Sequence, residues 1–535
     1  MKIQKIPFEK IPQLSKRDIA YVNENAALRP FYKYPVSLES FRQVIADKKK
    51  ERKNRALLTE VLKEQHAQLD LDNAVGANIE KLGEENTFTV VTAHQPSLFT
   101  GPLYYILKIV STLNLATELH GYFPDFQFVP VFVTGGEDHD FEEVNHLHLF
   151  NKTLTWESGE SGSVGQMKTV SLQPVFAELK QILGDSEQAQ KLFSLLEKTH
   201  LENTFYSEAA LALAHELFKQ EGLVCLNMSH KKLKKLFVPI IKEEILEQSS
   251  APIVAKTIGE LEAVGFPGQA PPREINFFYL REQLRERIVL ENGTFKVLHS
   301  DYQFSKEEII REIENHPERF SPNVVMRPLY QELVLPNLAY IGGGGEIAYW
   351  LERKAQFEHF GINFPMLIRR NSALWIDKAA AKRMDKLGLS PEAVFGDVED
   401  LIRLYVKRNS GQELSLNGEK ATLKSLFATI ANKTSAVDST LVKTVWAEHA
   451  KQLKGLEQLE MRLLRAEKQK HETALNQLRA LKEKLFPKSG LQERYDNFLP
   501  FYLRYGSVFF EIIKENLHPL EKGFVVIVDT LAEDT

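Results

Sequence analysis

The apolar positions of this chain change rhythm repeatedly, and each change marks an element. A β-branched run at Phe88–Thr92 breaks into the polar turn His94-Gln95-Pro96-Ser97, then a second turn at Thr100-Gly101-Pro102. From Leu103 the apolar residues Leu103, Ile106, Leu107, Val110, Leu113 and Leu115 recur at mostly three- and four-residue steps, which predicts a helix. A second apolar run, Phe126–Val133, leads through Thr134 into Gly135-Gly136-Glu137-Asp138-His139-Asp140. Strand, helix, strand over this length is a βαβ unit. Further short buried-strand patterns lie at 223–227, 338–341 and 365–369, separated by helical stretches. Five such strands alternating with helices predict an α/β fold, a doubly wound parallel sheet of Rossmann-like type with insertions.

The flanking regions read differently. Residues 1–87 form a mostly helical lead-in, with the Lys48–Lys50 run expected on a solvated helix face. The loop Glu157–Gly165, ESGESGSVG, either closes over a crevice or is an ordinary surface hairpin. Helices are expected at 174–183, 186–199, 204–220 and 230–248, and 265–280 reads as a loop ending in a strand. From Ser372 the composition shifts to helix formers and charge, with helices at 378–387, 391–407 and 422–431. Between Trp446 and Phe486, Leu464, His471, Leu478 and Leu485 step by seven, with Glu467, Ala474 and Leu481 three further on. That imperfect heptad seam predicts a long antiparallel or paired helix. An aromatic helical tail and a last strand at Gly523–Val528 close the chain.

Composition narrows the class. A chain of 535 residues exceeds one hydrophobic core, so two or three domains are expected. A net charge of −5 gives no electrostatic footprint for nucleic acid. The single cysteine, Cys225, excludes an internal disulfide framework; lying in an apolar run, it reads as a small core residue rather than a nucleophile. The opening MKIQKIPFEK lacks the apolar centre of a secretion signal, and no run reaches the ~20 residues of a membrane span. A cytoplasmic location, away from membranes, is expected.

Candidate chemistry gathers at strand ends. In open parallel sheets the ligand crevice lies outside the carboxyl ends of the strands, so His94-Gln95 and Glu137–Asp140 should lie side by side. The helix beginning near Leu103 would offer its N-terminus to an anion. Gly342-Gly343-Gly344-Gly345-Glu346, between a strand and a helix, suits an anionic or nucleotide ligand but matches no specific nucleotide motif. Glu346 equally suits a helix start by charge alone. Arg273, on a proline-stiffened connection, could grip a carboxylate or pair with Glu274 at the surface. Arg494 and the aromatic stretch 497–505 either clasp an adenine and phosphate or dock the tail.

Five strings carry a resemblance: HQPSLFTGPLYYILKI, GGEDHDFEEVNH, PPREINFFYL, FSPNVVMRPLYQELVLPNLAYIGGGGEIAYWLE and GLQERYDNFLPF. In this order the chain resembles the cysteine-adding enzymes of bacillithiol biosynthesis. The resemblance implies a ligase forming an amide between the carboxyl group of cysteine and the amino group of glucosaminyl malate, the last step in making that low-molecular-weight thiol. A free carboxylate is a poor electrophile, so ATP, accompanied by Mg2+, is the expected activator. The core would be like that of class I aminoacyl-tRNA synthetases, although the HIGH signature and a lysine-serine counterpart are missing. The domains implied are a core at 1–371 with insertions at about 146–220 and 229–335, an α-helical coiled-coil arm at 372–490 that pairs two subunits into a homodimer, and a segment at 491–535 packed on core or arm.

The roles implied follow. His94, Gln95, Thr100 and Gly101 would meet an anionic group, with Tyr104 beside them. Glu137, Asp138 and Asp140 would hold an ammonium or metal, with His139 as acid or base. Arg273 and Arg327 would take substrate carboxylates, and Tyr330 and Asn337 sugar hydroxyls, with Asn276 beside Arg273. A nucleotide would use Gly342, Gly343, Gly345, Glu346, Arg494 and Tyr502. No dedicated metal site is assigned. Two other classes stay open: a metal-dependent hydrolase with His94, Asp138 and His139 as ligands, and a non-catalytic dimeric scaffold.

Overall fold

The structure, a computed structural model, describes residues 1–410 and 415–530. Five parallel strands form its centre: β1 (Thr87–His94), β2 (Gln127–Thr134), β3 (Val224–Asn227), β4 (Asn337–Gly342) and β5 (Met366–Arg369). Their order is β5-β4-β1-β2-β3, with every neighbouring pair parallel. All five sequence-predicted strands are present. They were readable because both faces of the sheet are covered, so each strand is almost continuously apolar. Val91, Ala93, Val129 and Val131 pack into one buried cluster, while Phe132 points to the other face, against helix α1 (Tyr104–Tyr122).

The strand order places a switch point beside β1. The chain builds outward through β2 and β3, then returns to add β4 and β5 on the other side. Loops leaving β1 and β4 therefore part in opposite directions and leave a crevice at their carboxyl ends. Three further helices frame it: α2 (Lys231–Glu247), α3 (Arg327–Val334) and α4 (Gly344–Trp350).

Two expectations are corrected outside the sheet, and the strand expected at the end of 265–280 proves to be the first of several. The lead-in opens with a strand, Lys2–Ile6, which pairs antiparallel with Phe524–Val528; that strand in turn runs parallel to Ala373–Ile376. The N-terminal strand hides in KIQKI because one edge strand of a small sheet needs few apolar residues. Lys48 is not on a solvated face: it is buried, with Nζ 2.9 Å from Glu51 and 3.6 Å from Glu332. The stretch after 265 leads into a five-stranded antiparallel sheet, Phe277–Arg281, Leu284–Glu291, Thr294–Val297, Gln303–Phe304 and Phe320–Pro322. Strands such as LRERIVLE mix charge with apolar residues, which masked them.

The arm is also rearranged. The long helix is two, Val442–Lys470 and Glu472–Leu485, broken at His471. Beyond the break, Leu475, Leu478, Leu481 and Leu485 are buried against Ile376, Met384, Phe395 and Ile402 of the same chain. The heptad stripe there is thus satisfied internally. Before the break, Val442–Lys470 packs against Asn417–Ser435 as a hairpin, where Leu426, Val437, Leu459 and Met461 remain exposed. Among the described residues no helix is long and apolar enough to cross a membrane.

These two halves of one helical stretch should respond differently to truncation. Leu478→Ala should cost about 2–5 kcal/mol of stability through lost burial and a residual cavity. Leu459→Ala should stay within about 0.5 kcal/mol. Urea unfolding midpoints of the two variants would check this.

Candidate functional site

A cleft of about 470 Å³ opens at the carboxyl ends of β1, β2 and β4. Its two sides differ in charge. On the β4 side, Lys108 of α1 is fully buried, and its Nζ reaches the Ala93 carbonyl of β1 and both oxygens of Glu346, at 3.0 and 2.8 Å. Glu346 opens α4 and also accepts from the Tyr340 hydroxyl (2.6 Å) and the Gly343 N–H (2.9 Å). Burial alone would raise its carboxyl, but Lys108 and these donors hold it down at about 2. Arg327 donates to the Tyr349 hydroxyl at 3.0 Å and to Gln331 at 3.1 Å.

Arg370 follows β5 directly and is buried, donating to Glu493 at 2.8 Å. Its Nε has no hydrogen-bond partner among the described residues and lies against the Gly343 backbone. The Arg370 and Arg494 guanidiniums both lie over the Tyr104 ring, 5.2 and 6.0 Å from its centre. Three arginines and one lysine thus surround this half, against the carboxylates of Glu346 and Glu493.

His94 sits between the halves. Its Nδ1 faces the Gln95 carbonyl at 2.8 Å and its Nε2 the Tyr104 hydroxyl at 3.1 Å. A carbonyl only accepts, so the proton resides on Nδ1 and Nε2 accepts from Tyr104. Burial, reinforced by Lys108, pushes the imidazole down to about 4, so it is neutral near pH 7.

On the β2 side each acid is held by a buried cation. Lys234 of α2 places Nζ 2.9 Å from Glu137 Oε2 and 2.8 Å from the Phe320 carbonyl. Asp138 accepts from Gln95 Nε2 at 2.5 Å and from Arg285 at 3.1 Å. Arg285 comes from the inserted sheet and stacks on Phe278, 3.9 Å from the ring centre. The loop 157–165 backs this turn: Val164 N–H donates to the Asp138 carbonyl at 2.7 Å and Gly165 N–H to Gly136 at 2.9 Å. A side chain at Gly165 would collide with the Gly136 backbone, so glycine is required there for the close approach. The loop is a support for the site rather than a cover.

The structure brings together His94, Gln95, Tyr104, Glu137 and Asp138, and across the cleft Arg327, Tyr330, Gly343, Gly345, Glu346 and Arg494. Other candidates lie elsewhere. His139 and Asp140 turn outward and are exposed. Thr100 and Gly101 form a turn whose Gly101 carbonyl is bound by Asn497, and the α1 N-terminus is closed by the Asp496 carbonyl, which takes the Leu103 N–H at 2.7 Å. No anion is needed there. Asn337 begins β4, at the opposite end from the cleft, and donates to buried Glu332. Asn276 is buried against Glu244, while Arg273 is exposed. Tyr502 packs on Phe510, docking the tail. Gly342 holds Arg370 N–H through its carbonyl, and the Tyr330 hydroxyl is spent on the Met228 carbonyl.

Sequence reasoning missed Lys108, Lys234, Arg285 and Arg370. Arg370 was findable, following a predicted parallel strand, and Lys108 stands alone in an apolar helix. Lys234 is one of four lysines in HKKLKKLF, and nothing local distinguishes it. The donor set for a metal is poor: Asp138, His139 and Asp140 are close together, but Arg285 lies against Asp138 and His139, and both His94 nitrogens are engaged elsewhere. The residues present do not fit the hydrolase ligand set of His94, Asp138 and His139, or a Mg2+ site among these acids.

The family model described as "Bacillithiol biosynthesis BshC, N-terminal Rossmann-like domain" matches residues 1–371. That described as "Bacillithiol biosynthesis BshC, C-terminal coiled-coil domain" matches residues 373–528. A relative from Flavobacterium psychrophilum, named "Putative cysteine ligase BshC", is 40% identical over 98% of each chain. Relatives of the same name from Flavobacterium johnsoniae and Christiangramia forsetii are 41% and 40% identical, covering 95% of this chain and 96% and 95% of theirs.

The neutral His94 has a measurable consequence. Its value of about 4 lies below the ordinary 6.5, so the unfolded chain binds the proton more readily. Its contribution is present above pH 6.5 and is lost as pH falls toward 4. His94→Gln should therefore lose less stability than the parent between pH 7 and 5, and the His94 ring resonance should show no titration step from pH 5.5 to 8 by NMR.

Proposed function

The chain belongs to the BshC family of bacillithiol biosynthesis, and from that premise we propose that it is a ligase that joins the carboxyl group of cysteine to the amino group of glucosaminyl malate. The observation that carries this reading is the division of charge across one cleft. Amide formation needs an activated carboxylate on one side and an amine on the other, held within reach. The half lined by Arg327, Arg370 and Arg494 suits phosphate and carboxylate oxygens, for which arginine's fork is the best match. The half lined by Glu137 and Asp138 suits an amine.

ATP fits as the co-substrate, since the carboxylate oxygen can attack its α-phosphorus and displace pyrophosphate, or its γ-phosphorus and displace ADP, leaving a mixed acyl–phosphate anhydride. The amine nitrogen then attacks the acyl carbon, the C–O bond to phosphate breaks, and the nitrogen sheds a proton. His94, neutral with Nε2 toward Tyr104, orders that hydroxyl at the boundary between the halves. With its proton given to His94, that hydroxyl presents an acceptor oxygen to the cleft, and the arginine donors of the basic half, fixed in place before reaction, are the groups available to a developing oxyanion.

Incubation with cysteine, glucosaminyl malate and ATP should give the thiol product by mass spectrometry, with AMP or ADP identifying the activation route. Asp138→Asn should fold by circular dichroism yet lose on the order of 10²–10³ in rate, because it frees Gln95 and Arg285 together. Near-parental turnover would remove Asp138 from the site.

The arm supplies a second element of the proposal. The hairpin 417–470 exposes Leu426, Ile430, Leu459, Met461 and Leu463, an apolar set left uncovered by the described residues. A second copy would bury it and make a homodimer. Replacing 417–470 with a short linker should leave a folded monomer by sedimentation velocity, while a dimer persisting after that deletion would exclude the hairpin as the contact.

A further inference from the structure

Glu137 and Asp138 are neighbours in sequence but are held in different ways, and the difference divides their roles. Both oxygens of Asp138 are spent. Oδ1 takes Arg285 and the His139 N–H, and Oδ2 takes Gln95. The side chain is a strut that fastens the β1 turn to the inserted sheet. Glu137 is secured from behind only. Lys234 Nζ lies 2.9 Å from Oε2 and 2.8 Å from Oε1, so one ammonium spans both oxygens. No second donor reaches the carboxylate among the described residues, and a carboxylate has lone pairs for more than one. Glu137 lines the cleft, so a bound molecule can supply a further donor.

Lys234 itself cannot reach that molecule. Its side chain is fully buried, enclosed by the Phe320 carbonyl and the Tyr330 ring, 5.2 Å from Nζ. The cations around Glu137 are Lys234 and Arg285. Lys234 is enclosed behind the carboxylate, while Arg285 lines the cleft beside Asp138, to which it is paired.

We propose that Lys234 is a positioning residue that aims the Glu137 carboxylate at the N–H of an amine acceptor, so that Glu137, rather than Asp138 or His139, is the group that recognises the primary amine. This rests on the ligase reading and deepens it: the acceptor is selected as an amine on a hydroxylated carrier, by a carboxylate held from behind. As the amine attacks, its N–H bond points at that carboxylate, which takes the proton as the C–N bond forms and the phosphate leaves with the bonding electrons. The carboxyl returns to its ionised form by releasing that proton to solvent.

The test separates recognition from turnover. Calorimetry with glucosaminyl malate and with its N-acetyl form measures how strongly the free amine is preferred. The parent protein should prefer the amine at least tenfold. Glu137→Gln and Lys234→Met should abolish that preference, Lys234→Arg should restore most of it, and Asp138→Asn should weaken both ligands alike. In the ligation assay Lys234→Met should raise KM for the amine and leave KM for cysteine within about twofold. Should Lys234→Met fail to fold, Glu137→Gln decides alone. Equal preference in parent and Glu137→Gln overturns the proposal, as does loss of preference in Asp138→Asn only. Amine-selective binding without any thiol product would instead overturn the ligase reading and leave the assignment of Glu137 standing.

Discussion

The contact between Lys108 and Glu346 is the constraint on which the cleft depends. A switch point in a parallel sheet separates two loops, and nothing in sheet geometry alone fixes the gap between them. Lys108 spans that gap. One ammonium holds the carbonyl at the end of β1 and the carboxylate that opens α4 after β4. Glu346 in turn fixes the glycine turn through Gly343 N–H and orients Tyr340. Because the lysine is buried, water cannot replace either partner. Loss of the ammonium would leave a largely buried carboxylate uncompensated, the costly case for an ion pair of this kind.

The same device recurs around the cleft. Lys234 holds Glu137, Arg285 holds Asp138, and Glu493 holds Arg370. Each pair joins elements remote in sequence; Lys234 and Glu493 stand behind the residues that line the cavity, whereas Asp138 and Arg285 both line it. Well-packed apolar groups would do as well or better for stability alone. Paired charges do something else: they fix where a side chain points. That is the preorganisation the proposed condensation requires.

What could be read from sequence divides along the same physical line. The parallel strands were legible because burial on both faces makes them nearly pure apolar runs. Of the inserted antiparallel strands, the one at the end of 265–280 was legible and the next was not, because LRERIVLE alternates charge with apolar residues and resembles helix or loop equally. In the cleft, His94, Gln95, Glu137 and Asp138 were legible as polar residues at the carboxyl ends of strands. Asn337 failed the same rule when direction was considered, since it opens β4 and faces the far end of the sheet. Thr100 and Gly101 suggested an anion turn, but a carbonyl 393 residues beyond Leu103 already closes that helix. Lys234 and Arg285 were illegible because their partners lie far away in the chain. The heptad stripe was real, yet its apolar positions Leu464, Ala474, Leu478, Leu481 and Leu485 all pack within the same chain.

The arm is joined to the cleft at both of its ends. The chain leaves β5 through Arg370 and Ser372, enters the strand Ala373–Ile376, and returns from the helices at Leu491. Glu493 then receives the Arg370 guanidinium, the Ser372 hydroxyl and the Ala373 N–H, so exit and return are fastened by one buried carboxylate. The next residue, Arg494, lines the cleft; two further on, Asp496 closes the N-terminus of α1, and Asn497 holds the Phe99 and Gly101 carbonyls. Displacement of the helical arm relative to the core must therefore be borne by the segment 491–497, which touches both the basic half of the cleft and the turn after His94. The family's division of the chain into two domains near residue 372 falls at this joint. In physical terms the second domain is not an appendage to a finished site: its returning segment supplies Arg494 and the counter-charge that keeps Arg370 in place.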